Sequence, residues 1–151
     1  FLIDSVVARV RVENISMEPT LMPGEFILVN KLAYRMGEFS RGDIIVFHYP
    51  PNPQEDYIKR VIGIPGDEVR IGNQSVLVNG YELEEPYISA EPQYDGTWKV
   101  PPGFLFVLGD NRNQSLDMRN FGPNPIGGIL ARAEYLYFPA CWDWSRFGKI
   151  D

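Results

Sequence analysis

The stretch Ser75-Val76-Leu77-Val78-Asn79-Gly80-Tyr81-Glu82-Leu83 decides the fold class most directly, because two strand-forming runs flank the dipeptide Asn-Gly. Asn and Gly readily adopt the positive φ angles of a type I′ turn, so the stretch predicts a hairpin. Further β-branched and aromatic runs end at turn residues on both sides of it, at 26–29, 44–47, 104–108 and 129–138. This spacing predicts a mostly β fold with little helix, and Lys31–Met36 is the short helix candidate.

The composition supports a turn-rich fold and excludes several functions. The 14 glycines and 13 prolines make about 18 per cent of 151 residues, against roughly 12 per cent on average. The net charge of −6 predicts no nucleic-acid partner, because phosphate binding requires a basic surface. No apolar run reaches the roughly 20 residues that cross a bilayer. With one cysteine and one histidine, we expect no internal disulfide, no multi-cysteine zinc site and no site with two imidazoles, so any metal would have to bind carboxylates.

Ser16 is the candidate nucleophile. It follows a predicted strand and precedes Pro19, whose ring fixes the backbone of a turn, so its side chain is expected at a rigid corner. A serine hydroxyl becomes an effective nucleophile when a base removes its proton. The local pattern alone also allows an ordinary turn serine.

Two side chains are candidates for that base. His48 ends a predicted strand, where histidines often have structural roles. Lys59 lies in the run 57–64, and strand alternation places Tyr57 and Val61 on its own face. An exposed lysine has a pKa of about 10.4, but burial among apolar groups lowers the pKa toward the range of a useful base. A solvated strand lysine is the alternative interpretation.

A dense polar loop follows the run 104–108 and reads Gly-Asp-Asn-Arg-Asn-Gln-Ser-Leu-Asp-Met-Arg over residues 109–119. Bidentate ion pairs of Asp110 with Arg112, or of Asp117 with Arg119, would stiffen this loop. Ser115 is placed to hydrogen-bond a buried lysine and fix its rotamer. The alternative is a polar turn with surface salt bridges worth roughly 0–1 kcal/mol each.

Four segments together resemble the ordered motifs of the type I signal peptidases. Residues 16–21, Ser-Met-Glu-Pro-Thr-Leu, resemble the nucleophile motif of that family, and residues 57–67 resemble its lysine motif. Residues 109–119 are similar to its Gly-Asp-Asn-Arg motif, and residues 42–47 match the strand motif between the first two. The motifs occur in the family order and span residues 14–122.

The resemblance implies a membrane-bound serine endopeptidase with a Ser/Lys dyad and a signal-peptidase-like β-rich catalytic core, which would need no metal and no cofactor. Ser16 would be the nucleophile and Lys59 the general base, with Ser115 orienting the lysine and Met17 lining the substrate pocket. Four charged residues would support this site, namely Asp110, Arg112, Asp117 and Arg119.

The chain departs from the family pattern at two positions. Asn14 stands where family members often carry a serine whose hydroxyl assists the oxyanion hole, so Asn14 is a candidate oxyanion donor beside the Ser16 N–H. Met118 replaces a serine that is usual in the third motif, so that supporting hydroxyl is absent.

The resemblance also implies a domain division and a location. Residues 9–72 and 104–151 would form the catalytic core, residues 73–103 an inserted cap of one hairpin and a loop, and residues 1–8 the juxtamembrane stump of a removed anchor. The enzyme would lie in the cytoplasmic membrane through a single N-terminal anchor, with its catalytic domain on the extracytoplasmic face.

The implied partners are the signal peptides of secretory preproteins, cut after small residues of the Ala-x-Ala type, and membrane lipid. Trp142, Trp144 and Phe147 are candidates for lipid contact, and C-terminal packing is the alternative for them.

The runner-up functions are a self-cleaving repressor-type Ser/Lys protease and a non-catalytic β-rich binding module. The first usually carries a DNA-binding region and an Ala-Gly cleavage loop, and neither pattern occurs in this sequence. The presence of all three residues of the implied catalytic set argues against the second.

Overall fold

Short strand-forming runs that end in turn residues fold into two antiparallel sheets. A computed structural model describes residues 7–31, 39–88, 90–113, 115, 124–138 and 148–150. In these residues the strands are β1 Val7–Arg11, β2 Phe26–Asn30, β3 Ile44–Tyr49, β4 Asn52–Gly63, β5 Glu68–Gly72, β6 Ser75–Val78, β7 Tyr81–Glu82, β8 Gly96–Lys99, β9 Phe104–Leu108, β10 Asn124–Pro125, β11 Ile129–Phe138 and β12 Gly148–Lys149. A short 3-10 helix, Ile126–Gly128, precedes β11. No helix in the described ranges is long and apolar enough to cross a membrane.

The larger sheet has the strand order β1-β2-β11-β3-β4-β9-β10, with β12 paired to β11. Its central strand β3 is apolar on both faces, which explains the uninterrupted run Ile44-Ile45-Val46-Phe47. Ile44 and Val46 pack into one buried cluster with residues of β2 and β11, while Ile45 and Phe47 pack into another with residues of β4 and β9. Alternate side chains of a strand point to opposite faces, so both faces of β3 are covered by core.

The smaller sheet has the order β7-β6-β5-β8 and confirms the predicted hairpin. Asn79 and Gly80 have φ angles of 53° and 85°, as a type I′ turn requires. Alternate residues of β5 and β6, such as Val69 and Val76, pack against Phe106 of β9 in a shared core cluster. The small sheet therefore rests on the large one through apolar contacts.

The sheet boundaries differ from the predicted domain boundaries in two places. β5 pairs with β6 and β8, so the second sheet begins at Glu68 and not at residue 73. The predicted cap was expected to contain one hairpin followed by a loop, but that second part contains the strand β8. Trp98 in β8 packs its ring 5.2 Å from that of Phe106, and this tertiary contact outweighs the surrounding prolines. The division into a core and a cap remains a prediction.

The other strand predictions are confirmed for 26–29, 44–47 and 104–108, and 129–138 forms the single strand β11. The helix candidate Lys31–Met36 lies outside the described residues apart from Lys31.

Asp67 joins three segments beneath the small sheet. Its carboxylate accepts hydrogen bonds from Arg41 Nε and Nη2 at 2.7 and 2.8 Å, from the Ile64 N–H at 2.9 Å and from Asn79 Nδ2 at 3.0 Å. The hydrogen bonds from Arg41 are the largest cause that lowers the pKa of Asp67 from 3.8 to about 2, against the opposing effect of burial. The charged form is therefore favoured in the folded protein.

We expect Asp67→Asn to lower the free energy of unfolding by about 1–2 kcal/mol at pH 7. This value is smaller than the pKa shift alone implies, because Arg41 is half exposed and solvent screens its charge. Because the folded pKa is depressed, this stabilisation is present above pH 3.8 and is lost as the pH falls toward 2. Urea unfolding of the parent protein and the variant at pH 7, 4 and 3 measures this difference in the free energy of unfolding. Asp56→Asn, in an exposed pair with His48, is the control and should cost only a few tenths of a kcal/mol. A cost for Asp67→Asn that is independent of pH would contradict the account.

Candidate active site

Ser16 lies in a tight turn after β1. The Glu18 N–H donates to the Ile15 carbonyl oxygen at 3.1 Å, and the Leu21 N–H donates to the Met17 carbonyl oxygen at 3.0 Å. Only 7 per cent of Ser16 is exposed, and Met17 is buried beside it. The turn therefore holds Ser16 at a fixed and largely buried position, unlike an ordinary surface serine.

Lys59 reaches this serine from β4. Its Nζ donates a hydrogen bond to Ser16 Oγ at 2.8 Å across 43 residues of sequence. Lys59 is 1 per cent exposed, and its Nζ lies 5.0 Å from the centre of the Tyr57 ring. The interpretation as a solvated strand lysine is therefore wrong. The expectation that Tyr57 helps to exclude water from Lys59 agrees with this contact.

Asn14 also contacts Ser16, in a way that the sequence did not predict. Its Oδ1 accepts hydrogen bonds from the Ser16 N–H at 3.1 Å and from Ser16 Oγ at 2.8 Å. The amide oxygen therefore faces the serine as an acceptor. Its expected role as an oxyanion donor would have to come from Nδ2, and that role remains a prediction.

The loop after β9 donates hydrogen bonds to backbone carbonyl oxygens of the nucleophile turn, residues 15–21. The Asn111 N–H donates to the Ser16 carbonyl oxygen at 2.9 Å, and Asn111 Nδ2 donates to the Ile15 carbonyl oxygen at 3.0 Å. A Cβ on Gly109 would lie 2.2 Å from Ser115 Oγ and 2.5 Å from the Ser16 carbonyl oxygen. Glycine at this position therefore lets the turn, the loop and Ser115 approach closely. The Ser115 hydroxyl is buried, and its predicted hydrogen bond to Lys59 remains a prediction.

The Asp110 carboxylate pairs with Arg60, which is the residue after Lys59. Arg60 Nε and Nη2 donate to its two oxygens at 2.9 and 2.8 Å, and Thr20 Oγ1 donates at 2.5 Å. Arg60 is 1 per cent exposed and Asp110 is fully buried. The predicted pairing of Asp110 with Arg112 is therefore wrong, because the fold places the guanidinium of a neighbouring strand against this carboxylate. The pair ties the nucleophile turn, through Thr20, to the strand that carries Lys59.

Arg112 pairs instead with Glu85, from the segment between β7 and β8. Its Nη1 donates to Glu85 Oε1 at 2.7 Å, and its Nε donates to the Gly109 carbonyl oxygen at 2.9 Å. Burial alone would lower the pKa of Arg112, but the hydrogen bonds and charge of Glu85 raise it overall. Arg112 therefore remains a cation that holds the loop to this segment.

Tyr87 completes the buried network. The guanidinium of Arg60 lies over its ring at 3.7 Å, and the Tyr87 hydroxyl donates to Glu85 Oε2 at 3.0 Å. Burial is the main cause that raises the pKa of Tyr87 to about 12, so the hydroxyl stays protonated and can donate. Tyr87 therefore links the buried pairs Arg60–Asp110 and Arg112–Glu85.

His48, the other candidate base, lies elsewhere. Its side chain is 45 per cent exposed, and its Nδ1 is 3.0 Å from the Asp56 carboxylate. The described contacts bring Lys59, and not His48, to the Ser16 hydroxyl.

Asp117, Met118 and Arg119 lie outside the described residues, as do Trp142, Trp144 and Phe147. The described residues contain no group of three or more His, Cys, Asp or Glu side chains able to hold a metal ion.

Several residues of the site were not anticipated from the sequence, namely Thr20, Arg60, Glu85, Tyr87 and Asn111. A buried arginine directly after the lysine is the one signal that the motif itself contains, because an arginine in an otherwise apolar run requires a partner. Glu85, the carboxylate partner of Arg112, lies 27 positions away in sequence, and no local pattern indicates it.

A serine hydroxyl in contact with a buried lysine amine, on a largely antiparallel β scaffold, defines the class of serine hydrolases with a lysine beside the nucleophile. The comparisons with known proteins give the family. The family model described as "Signal peptidase, peptidase S26" matches residues 1–138. The chain therefore belongs to the signal peptidase family, peptidase S26.

Individual relatives agree with that family. The signal peptidase I of Bacillus caldolyticus is 43% identical over 143 residues, which cover 85% of this chain and 78% of the relative. The probable signal peptidase I-2 of Synechocystis sp. is 42% identical over 155 residues, which cover 98% of this chain and 69% of the relative. A crystal structure of a signal peptidase I from Enterococcus faecalis V583 superposes with a TM-score of 0.59 at 32% identity, covering 63% of this chain and 96% of that chain.

These matches place the chain among the bacterial type I signal peptidases, as the ordered motifs predicted, on the expected mostly β fold. The protein is thus a serine endopeptidase, a hydrolase of a membrane-associated family that removes signal peptides. The alternatives of a repressor-type protease and of a non-catalytic module are not supported by these matches.

Proposed function

We propose that this chain cleaves signal peptides from preproteins with Ser16 as nucleophile and Lys59 as general base. The observation that carries the proposal is the 2.8 Å hydrogen bond between Lys59 Nζ and Ser16 Oγ, made by a lysine that is 1 per cent exposed. Removal from water disfavours an ammonium ion, so this environment favours the neutral amine that a base requires.

The reaction is acyl transfer in two stages. Neutral Lys59 accepts the Ser16 proton while Oγ attacks the scissile carbonyl carbon, and the tetrahedral intermediate carries its negative charge on the former carbonyl oxygen. The Lys59 ammonium then donates its proton to the leaving amine, and the peptide bond breaks. Lys59 next accepts a proton from water, the hydroxide attacks the acyl carbon, and the ester bond to Ser16 breaks as Oγ regains a proton.

The remaining site residues support this pair by fixing its position. Asp110 holds both Thr20 of the nucleophile turn and Arg60 beside Lys59, and Arg112 holds the loop that supplies Asn111. Ser115 is proposed to orient the lysine amine. Asp117 and Arg119 are proposed to brace the same loop from outside the described residues.

A cavity of about 300 Å³ beside Ser16 supports a preference for small residues before the cut. Most of its lining side chains are apolar, and both Ser16 and Met17 line it. The apolar side chains include Ala8, Val10, Val12, Val46, Ile58 and Ala131. Within the described strands β1 pairs with β2 alone, so its other edge can accept an extended substrate strand by backbone hydrogen bonding. We infer that Ala-x-Ala sequences fit this site, and larger side chains do not.

Contact with membrane lipid and a catalytic domain on the extracytoplasmic face belong to the same proposal. Ile15, next to the nucleophile, is 43 per cent exposed and supports contact with an apolar partner at the mouth of the site.

Cleavage of a model preprotein, with sequencing of the new N-terminus, tests the proposed specificity. We expect a single cut after Ala-x-Ala, and a loss of at least tenfold in kcat/KM when the alanine before the cut becomes leucine, because the cavity is small. A preprotein with leucine at the position between the two alanines is the matched control. Equal cleavage of all three substrates would contradict the proposed pocket.

A further inference from the structure

The side-chain amide oxygen of Asn14 accepts a hydrogen bond from the Ser16 N–H, the donor expected to stabilise the oxyanion. Its Oδ1 lies 3.1 Å from the Ser16 backbone nitrogen and 2.8 Å from Ser16 Oγ. An oxyanion in acyl transfer requires N–H donors about 2.7–3.1 Å away, next to the attacking oxygen. The Asn14 amide oxygen therefore uses the same Ser16 N–H that a substrate carbonyl oxygen would need.

The same contact also directs the Ser16 hydroxyl proton away from its base. A serine hydroxyl has one proton to donate, and Oγ donates it to Asn14 Oδ1 while it accepts a hydrogen bond from Lys59 Nζ. For attack, this proton must point at the lone pair of Lys59 instead. The hydrogen bonds of the resting site therefore run in the opposite direction to the one that catalysis needs.

The orientation of the Asn14 amide is supported by the chemistry of its contacts. Exchanging Oδ1 and Nδ2 would set an N–H donor against the Ser16 N–H donor, which is unfavourable. Asn14 is exposed, so its side chain can leave the serine without disturbing the core.

We propose that Asn14 is a positioning residue that holds Ser16 in a resting orientation and is displaced when the substrate carbonyl oxygen takes the Ser16 N–H. The inference rests on the proposed Ser16/Lys59 function. It reverses the role expected from the sequence, in which the Asn14 amide donates to the oxyanion. Substrate binding then frees the Ser16 N–H to bind the oxyanion and lets the Ser16 hydroxyl turn its proton toward Lys59 Nζ. The nucleophile is therefore activated only when substrate is present.

Steady-state cleavage of a peptide that spans the cut, measured across pH, tests this inference in two variants. Asn14→Ala removes the competing acceptor, so we expect KM to fall roughly threefold to tenfold without a loss of kcat, the equivalent of one net hydrogen bond. Asn14→Asp keeps an acceptor and adds a negative charge beside the dyad. We expect it to lower kcat/KM at least tenfold and to move the rising limb of the pH profile to higher pH, because the charge favours the Lys59 ammonium.

Asn52→Ala is the matched control, because Asn52 Oδ1 accepts from the Gln54 N–H in the same local pattern on an exposed strand end. It should leave both kinetic constants and the pH profile unchanged. A tenfold or larger loss of kcat in Asn14→Ala would show that Asn14 is a donor or a necessary support, and unchanged kinetics would show that it has no role; either result overturns the inference. Ser16→Ala in the same assay separates the two proposals, because activity retained there would refute the dyad itself.

Discussion

Replacing Lys59 by methionine is expected to abolish cleavage of a preprotein while the fold is retained. Methionine keeps the apolar stem of the lysine side chain, so the buried site stays filled, but it cannot accept the Ser16 proton. General bases contribute about 10²–10⁴-fold to rate, and loss of the nucleophile in Ser16→Ala should cost at least as much. Single-turnover cleavage at high enzyme concentration measures both losses.

Exposed residues of the same types supply the controls for these two variants. Lys99→Met on β8 and Ser40→Ala should each retain full activity. Circular dichroism and thermal unfolding report whether each variant keeps its fold. Activity in Lys59→Met within threefold of the parent protein would refute the lysine base. His48→Ala should leave cleavage nearly intact, and its complete inactivation would favour a histidine base.

Removing the Asp110 carboxylate is expected to have the largest effect on stability. Asp110→Ala removes the carboxylate that accepts hydrogen bonds from the buried Arg60 guanidinium and from Thr20 of the nucleophile turn. Breaking such a buried pair costs about 3–5 kcal/mol, a large part of the stability of a typical domain. Urea unfolding measures the loss, and cleavage activity should fall with it because both ends of the dyad are held by this pair.

The double variant Arg60→Met with Asp110→Leu separates charge burial from positioning. Replacing a whole buried pair by apolar residues is often neutral or stabilising, so most of the lost stability should return. Activity should not return, because the link between Thr20 and the strand of Lys59 is still absent. Asp56→Ala, which breaks the exposed pair with His48, is the control and should cost at most about 1 kcal/mol. If the double variant recovers activity together with stability, Asp110 and Arg60 have no positioning role.

The sequence predicts the local elements well because their signals are local. The Asn79-Gly80 turn and the apolar run of β3 depend on φ preference and on burial over a few residues. β8 was missed because its strand is held by the contact of Trp98 with Phe106, a tertiary interaction without local periodicity. The start of the small sheet at Glu68 likewise depends on its pairing with Lys99 of β8, a strand far away in sequence that the residues of β5 do not indicate by themselves.

The site shows the same division between local and distant signals. Motif resemblance indicated Ser16 and Lys59, and the structure places Lys59 Nζ 2.8 Å from Ser16 Oγ. The pairing of acids with arginines was not predictable, because a charged loop offers several partners and only the fold decides among them. Asp110 therefore pairs with Arg60 and Arg112 with Glu85, from strands and segments far away in sequence.

Identification of the residue that becomes acylated tests the proposed Ser16/Lys59 mechanism directly. Incubation with a slowly hydrolysed activated acyl ester, followed by peptide mass spectrometry, locates the acyl group. We expect acylation of Ser16 in the parent protein, at a rate that rises with pH as the Lys59 amine loses its proton, and no acylation in Lys59→Met. An acyl group on a different side chain, or acylation of Ser16 at an unchanged rate in Lys59→Met, would contradict this mechanism.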